Sequence, residues 1–117
     1  MIRVGIAALL ALSVAACKGT SAPVCTLEAR AGINLTVVDQ AGQPVTNAVA
    51  QAREGDYVEI LQRTGPGILF GVFERKGDYD VSVTAPGFKE WREDVEVEAD
   101  ECHVIPVRLT VRLEPGA

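Results

Sequence analysis

Gly77-Asp78-Tyr79-Asp80-Val81-Ser82-Val83-Thr84-Ala85-Pro86-Gly87-Phe88 is the stretch whose pattern decides the fold. Tyr79, Val81 and Val83 recur at every second position between polar residues, the period of a strand with one buried face; on a helix they would be scattered around the axis. Gly77-Asp78 before them and Ala85-Pro86-Gly87 after them supply turn chemistry, so the strand is short and bounded. The pattern recurs outward in both directions. Ile33, Leu35 and Val37 alternate with Asn34, Thr36 and Val38, and the turn residues Asp39 to Pro44 follow. Extended segments are expected at 45–53, 57–61, 68–74, 79–84, 95–98 and 104–113, with a short continuation at 88–91 and breaks at 54–56, 64–67, 75–78 and 85–87. No helical stripe interrupts them. Recurring short strands with turn signals every eight to twelve residues predict an all-β chain folded as an antiparallel β-sandwich of about seven strands, in a range of six to eight. Pro106 places the start of the last strand at an edge or bulge.

At 117 residues the chain has the length of one domain, too short for a second domain or a large multi-site enzyme. Lys plus Arg number 11 against 16 Asp plus Glu, a net charge of -5, which argues against nucleic acid or an anionic membrane surface as a partner. Residues 1–16 have the form of a secretory leader: Arg3, an apolar run from Val4, then Ala15 and Ala16. The run is shorter than the roughly 20 residues that cross a bilayer as a helix. Loss of the leader removes Arg3 and leaves the remainder still more acidic. Residues 17–24 are small and polar, as suits a flexible tether, and 25–117 form the domain.

Export puts Cys25 and Cys102 in an oxidising compartment, where two such cysteines are expected to be paired rather than free. The bridge would close a loop of about 78 residues, for which chain entropy gives roughly 4 to 5 kcal/mol at most. A metal is the weaker alternative, because the single histidine, His103, next to Cys102, provides neither the count nor the spacing of a zinc site. No metal or other cofactor is expected. The acids of Glu93-Asp94-Val95-Glu96-Val97-Glu98 are read first as a solvated strand face that discourages edge pairing, and second as a calcium or cationic-partner face.

Two resemblances rest on these residues. Val14-Ala15-Ala16-Cys17 resembles a bacterial lipobox, which implies cleavage before Cys17, lipidation of Cys17, and delivery to the outer membrane, since Lys18 rather than Asp follows the anchor. Val37-Val38-Asp39-Gln40-Ala41-Gly42-Gln43-Pro44-Val45, followed by the stretch 77–88, resembles the carboxypeptidase regulatory-like domain, with its transthyretin-like sandwich, over residues 32 to 113. Phe73-Glu74-Arg75-Lys76-Gly77 and Asp100-Glu101-Cys102-His103-Val104 are similar to small bacterial lipoproteins bearing that domain. The resemblance implies a scaffold of the cell envelope rather than a reaction. Hydroxyisourate hydrolases share the fold but use several histidines, and this chain has one.

Catalysis is not expected. A hydroxyl or thiol nucleophile needs a histidine base and an orienting group, and the sole histidine neighbours a cysteine expected to be oxidised. Binding is the alternative, either to an envelope protein or, as a runner-up, to a carbohydrate or peptidoglycan fragment. Trp91, flanked by charges, and Tyr57 are the candidate ligand-binding aromatics, while Phe70, Phe73 and Phe88 are assigned to the core.

Overall fold

A computed structural model describes residues 24–116; the leader and Cys17 lie outside them. The chain forms β1 (Ala31–Val38), β2 (Val49–Glu54), β3 (Tyr57–Ile60), β4 (Gln62–Gly65), β5 (Ile68–Phe73), β6 (Gly77–Thr84), β7 (Trp91–Val97) and β8 (Val107–Arg112). They make two four-stranded sheets, ordered β4-β5-β1-β8 (sheet 1) and β3-β2-β6-β7 (sheet 2). The all-β sandwich read from the sequence is therefore the fold, with eight strands.

Period-two burial builds the core as expected. Ile33, Leu35 and Val37 of β1, Tyr79, Val81 and Val83 of β6, and Val95 and Val97 of β7 are buried together with Ala50, Ala52, Leu69, Val111 and Leu113 in one cluster. Each fully buried Val, Leu or Ile contributes about 1.5 to 3 kcal/mol. β1 is central to sheet 1 and β6 to sheet 2, so both carry strands on either side.

Four details differ from the sequence reading, each for a local reason. β1 and β8 run parallel, Ile33 beside Val107 through Val38 beside Arg112, while the other pairs are antiparallel. Parallel neighbours require a long crossover, and here the chain leaves β1 and returns to its flank only after traversing sheet 2. Next, Gln62–Gly65 is a strand despite its lack of apolar alternation. Leu61, whose N–H donates to the Ala50 carbonyl at 2.9 Å, is the single residue over which the chain passes from sheet 2 to sheet 1. That passage closes one side of the sandwich covalently. β7 begins at Trp91 rather than Val95: it pairs with β6 from Trp91 beside Val83 onward, and Glu93, exposed at a core-side position of this edge strand, hides the alternation. Finally, Phe73 is 39% exposed instead of core. Val72 has a positive φ of 60° and is fully buried, so the alternation resets there and Phe73 turns out to meet Phe70 edge-to-face at 5.5 Å.

Tyr79 joins the two layers. Its ring is 1% exposed, its hydroxyl donates to the Arg75 carbonyl at 2.9 Å, and Arg75 Nη1 donates back to it at 2.7 Å. This is a tyrosine corner, in which a buried ring pins the turn carrying the chain from sheet 1 to sheet 2. At the β4–β5 turn Gly67 has φ +72°, and a Cβ there would meet the Val37 carbonyl oxygen at 2.6 Å. The same approach lets Val37 N–H donate to the Gly67 carbonyl at 2.7 Å.

Tyr79→Phe is expected to lower the unfolding free energy by about 1 to 2 kcal/mol, since it leaves the Arg75 carbonyl without its donor. Gly67→Ala is expected to cost more, about 2 kcal/mol or above, because strain and steric conflict fall on the same atom. Urea unfolding of both variants with the disulfide intact checks the ranking, and equal midpoints would contradict it.

Candidate functional site

The end of the sandwich where the chain enters β1 concentrates the chemistry-bearing side chains. Parallel pairing sets the starts of β1 and β8 side by side, and Cys25 and Cys102 precede those starts by similar distances along the chain. They therefore meet: the two form a disulfide with Cα atoms 5.2 Å apart, inside the usual range for such bridges. The pairing expected from the sequence is what the structure has.

Asp100 shapes the turn that presents Cys102. One of its carboxylate oxygens accepts the N–H groups of Cys102 at 2.8 Å and His103 at 2.9 Å. Those two bonds hold its pKa below the ordinary aspartate value. His103, only 8% exposed, is thereby directed inward between two partners. Its Nδ1 lies 2.6 Å from Glu74 Oε2 and its Nε2 lies 2.9 Å from Thr26 Oγ1. An ionised carboxylate only accepts, so Nδ1 donates to Glu74, and with that tautomer of the neutral ring Nε2 accepts a hydrogen bond from the Thr26 hydroxyl.

Glu74 holds more than the imidazole. Oε2 also accepts the Arg30 N–H at 2.9 Å and Oε1 accepts the Val104 N–H at 3.0 Å. The main-chain N–H of Glu74 donates to the Arg30 carbonyl at 3.0 Å. Partial burial alone would raise its pKa, but the bonds from His103, Arg30 and Val104 outweigh that and lower it. Glu74 itself has φ +50°, a left-handed conformation that turns its side chain back toward the entering segment.

Thr26, His103 and Glu74 stand in the order hydroxyl, imidazole, carboxylate beside an open cleft of about 620 Å³ that Lys76 and Glu101 also line. That order is one a nucleophile relay uses. Here every member is also a fastening: Thr26 and Arg30 belong to the entering segment, His103 and Val104 to the approach to β8, and Glu74 to the β5–β6 turn. The sequence pointed to Cys25, Cys102 and His103 but missed Thr26, Glu74 and Asp100. Asp100 had a signal, since an Asp two and three residues before its donors favours such a turn; Glu74 and Thr26 had none, because their partners are distant in sequence.

The candidate aromatics do not come together. Tyr57 and Trp91 lie on opposite edge strands of sheet 2, β3 and β7, and both are half-buried against the core. The Tyr57 ring is covered by the Arg75 guanidinium at 3.7 Å and meets Tyr79 edge-on at 6.4 Å. Its hydroxyl donates to Glu59, which, with burial, raises its pKa. Trp91 stands opposite Val83, on the core side of the sheet. Cys17 lies outside the described residues. Among those described, no three His, Cys, Asp or Glu side chains converge in a way that could hold a metal ion. No described helix is long and apolar enough to cross a membrane.

Comparison with known proteins gives a likeness of fold. No family model and no curated protein matches the sequence. Among solved structures, the Bacillus anthracis TIE protein is similar over 75% of this chain, with a TM-score of 0.56 and 15% identity. The match spans 17% of that longer protein.

Glu74 and Asp100 titrate below their unfolded values, so near pH 4 and below, the unfolded chain binds more protons than the folded one. The stability they contribute is complete above the ordinary carboxylate range and disappears as pH falls through their depressed folded values. Glu74→Gln is expected to lower stability at neutral pH and to flatten the decline below about pH 4. Urea midpoints across pH check this, and a variant with an unchanged acid slope would exclude Glu74 as a contributor.

Proposed function

We propose that the chain is a non-enzymatic, lipid-anchored β-sandwich of the bacterial cell envelope, of the carboxypeptidase regulatory-like type, with a structural or protein-interaction role. The observation that carries this reading is the covalent clamp at Cys25, where the tether expected at residues 17–24 enters the domain. Fully extended, eight residues reach about 28 Å, so an anchor at Cys17 keeps the domain close to the lipid surface. Tension on the tether arrives first at Cys25 and passes through the bridge to Cys102. It does not act on β1 alone, whose removal would take the centre out of sheet 1.

The carbohydrate reading would need a shared aromatic platform, and Trp91 and Tyr57, on opposite edges, do not form one. The Thr26, His103 and Glu74 relay supports fastening because each residue ties the entering segment to another part of the fold. Turnover of an ester such as p-nitrophenyl acetate that disappears in Thr26→Val would overturn the non-enzymatic part.

Intact mass of the protein taken from its native membrane fraction tests the anchor. The expected species begins at Cys17, carries acyl mass, and gains two hydrogens on reduction. Cys17→Ala is expected to move the protein into the soluble fraction. A wild-type chain without acyl mass would remove the anchored-scaffold reading.

A further inference from the structure

Charge is divided unevenly between the sheets. The strands of sheet 1 carry three arginines, Arg63, Arg108 and Arg112, and no aspartate or glutamate. Those of sheet 2 carry seven acids, Glu54, Glu59, Asp78, Asp80, Glu93, Asp94 and Glu96, against Arg53 and Arg92. An acidic protein thus has one sheet whose strands are purely cationic.

The edges differ in the same sense. β3 and β4 are four residues each, and β4 shifts register between Arg63 and Gly65. β7 exposes Arg92, Glu93, Asp94 and Glu96. Shortness, irregularity and dense charge all discourage a further strand. β8 has six residues, pairs with β1 without a register break, and contains no proline, glycine or acid. Its exposed side chains are Arg108, Thr110 and Arg112, alternating with the half-buried or buried Val107, Leu109 and Val111. Among the described residues neither Arg108 nor Arg112 lies within 4 Å of a carboxylate. Arg112 Nη1 donates to the Asp39 and Gln40 carbonyls, both at 3.2 Å, and Glu28, which shares a shallow groove with Arg108, is paired with Arg30 at 3.4 Å.

We propose that the free edge of β8 takes an extended peptide strand bearing carboxylates four residues apart. The proposal rests on the protein-interaction reading above and names its surface and partner class. An added strand would pair with the main-chain groups of β8 that face away from β1, and its own alternation would set two carboxylates opposite Arg108 and Arg112. A small polar residue would face Thr110, and apolar residues between would extend the core side beyond Leu109. A second copy of β8 fits poorly: antiparallel pairing about Thr110 puts Arg108 opposite Arg112, a like-charge pair.

The test uses the full mature chain, disulfide intact, with a labelled blocked peptide Glu-Val-Thr-Val-Glu-Val and its counterpart with lysine for glutamate. Fluorescence anisotropy is expected to show binding of the acidic peptide, weakened about tenfold by Arg108→Glu and preference of that variant for the lysine peptide. Raising salt from about 0.05 M to about 0.5 M is expected to weaken the wild-type complex. Arg108→Gln, a milder change, is expected to give an intermediate loss, with circular dichroism reporting that both variants fold. Slowed amide exchange confined to β8 on peptide addition would support strand pairing over loose charge attraction. Equal binding of both peptides, indifference to Arg108→Glu, or no binding of either overturns the proposal. So does a salt-sensitive dimer of the protein alone that the peptide fails to dissociate, since the occupant is then a second copy. Acyl mass at Cys17 with no peptide binding overturns the edge proposal and leaves the anchor standing, whereas peptide binding by a chain without acyl mass does the reverse.

Discussion

The carboxylate of Glu74 is the junction on which the entry end of the sandwich depends. Three donors from two distant segments, Arg30 N–H, Val104 N–H and His103 Nδ1, converge on its two oxygens. Such convergence requires the side chain to point back across the turn, and the backbone accommodates it with positive φ at both Val72 and Glu74. Left-handed backbone at a non-glycine residue costs of order 1 to 3 kcal/mol, most severely at a β-branched one such as Val72. The compensation is visible at both ends of the kink. Val72 is wholly buried and its N–H donates to Glu59 at 2.9 Å, while Glu74 gathers its three donors. Without the kink Phe73 would face inward and Val72 outward, and the carboxylate would lose its partners.

A second network closes the β3 side of the same turn. Arg75 lies over the Tyr57 ring, pairs with Glu54 at 2.7 Å and donates to the buried Tyr79 hydroxyl. The Glu54 carboxylate also accepts the Asp78 N–H at 2.9 Å, and these bonds hold its pKa below the ordinary value. The ion pair is partly exposed and solvent screens it, so its worth lies in geometry rather than in Coulomb energy. It keeps the β5–β6 passage fixed relative to the tyrosine corner, and Glu74, one residue before Arg75, inherits that fixity.

Much of this architecture was legible because it follows from alternation and turn chemistry, which are local. The runs of β1, β5 and β6, the turn at Asp39 to Pro44 and the sandwich itself rest on patterns a few residues long. Asp39 behaves as its residue type requires, with one carboxylate oxygen accepting the Ala41 and Gln43 N–H groups at 2.8 and 2.9 Å. The disulfide was legible from the expected compartment and the cysteine count rather than from geometry. What could not be read are relations between distant positions. β4 is a strand only because Phe70 and Leu69 lie beside it, and Glu74 is a cross-link only because β8 returns parallel to β1. Trp91 shows that charged neighbours in sequence do not set exposure: an edge strand alternates, and Trp91 falls half-buried on the core side opposite Val83.

The parallel pairing of β1 and β8 has mechanical and electrostatic consequences together. It brings the starts of both strands to one end, so a single disulfide fastens the entering chain to the two strands at once. Force applied along the entering segment would then be shared between a central strand and its edge neighbour. The same topology leaves β8 as one of the two edge strands of the sheet whose strands lack acids. The strand fastened to the point of entry is therefore also an edge strand, and its outer main-chain groups lack a strand partner among the described residues. A partner strand docked on β8 would lie beside the clamp, and a pull on the entering segment would reach it by way of Cys25, Cys102 and β8.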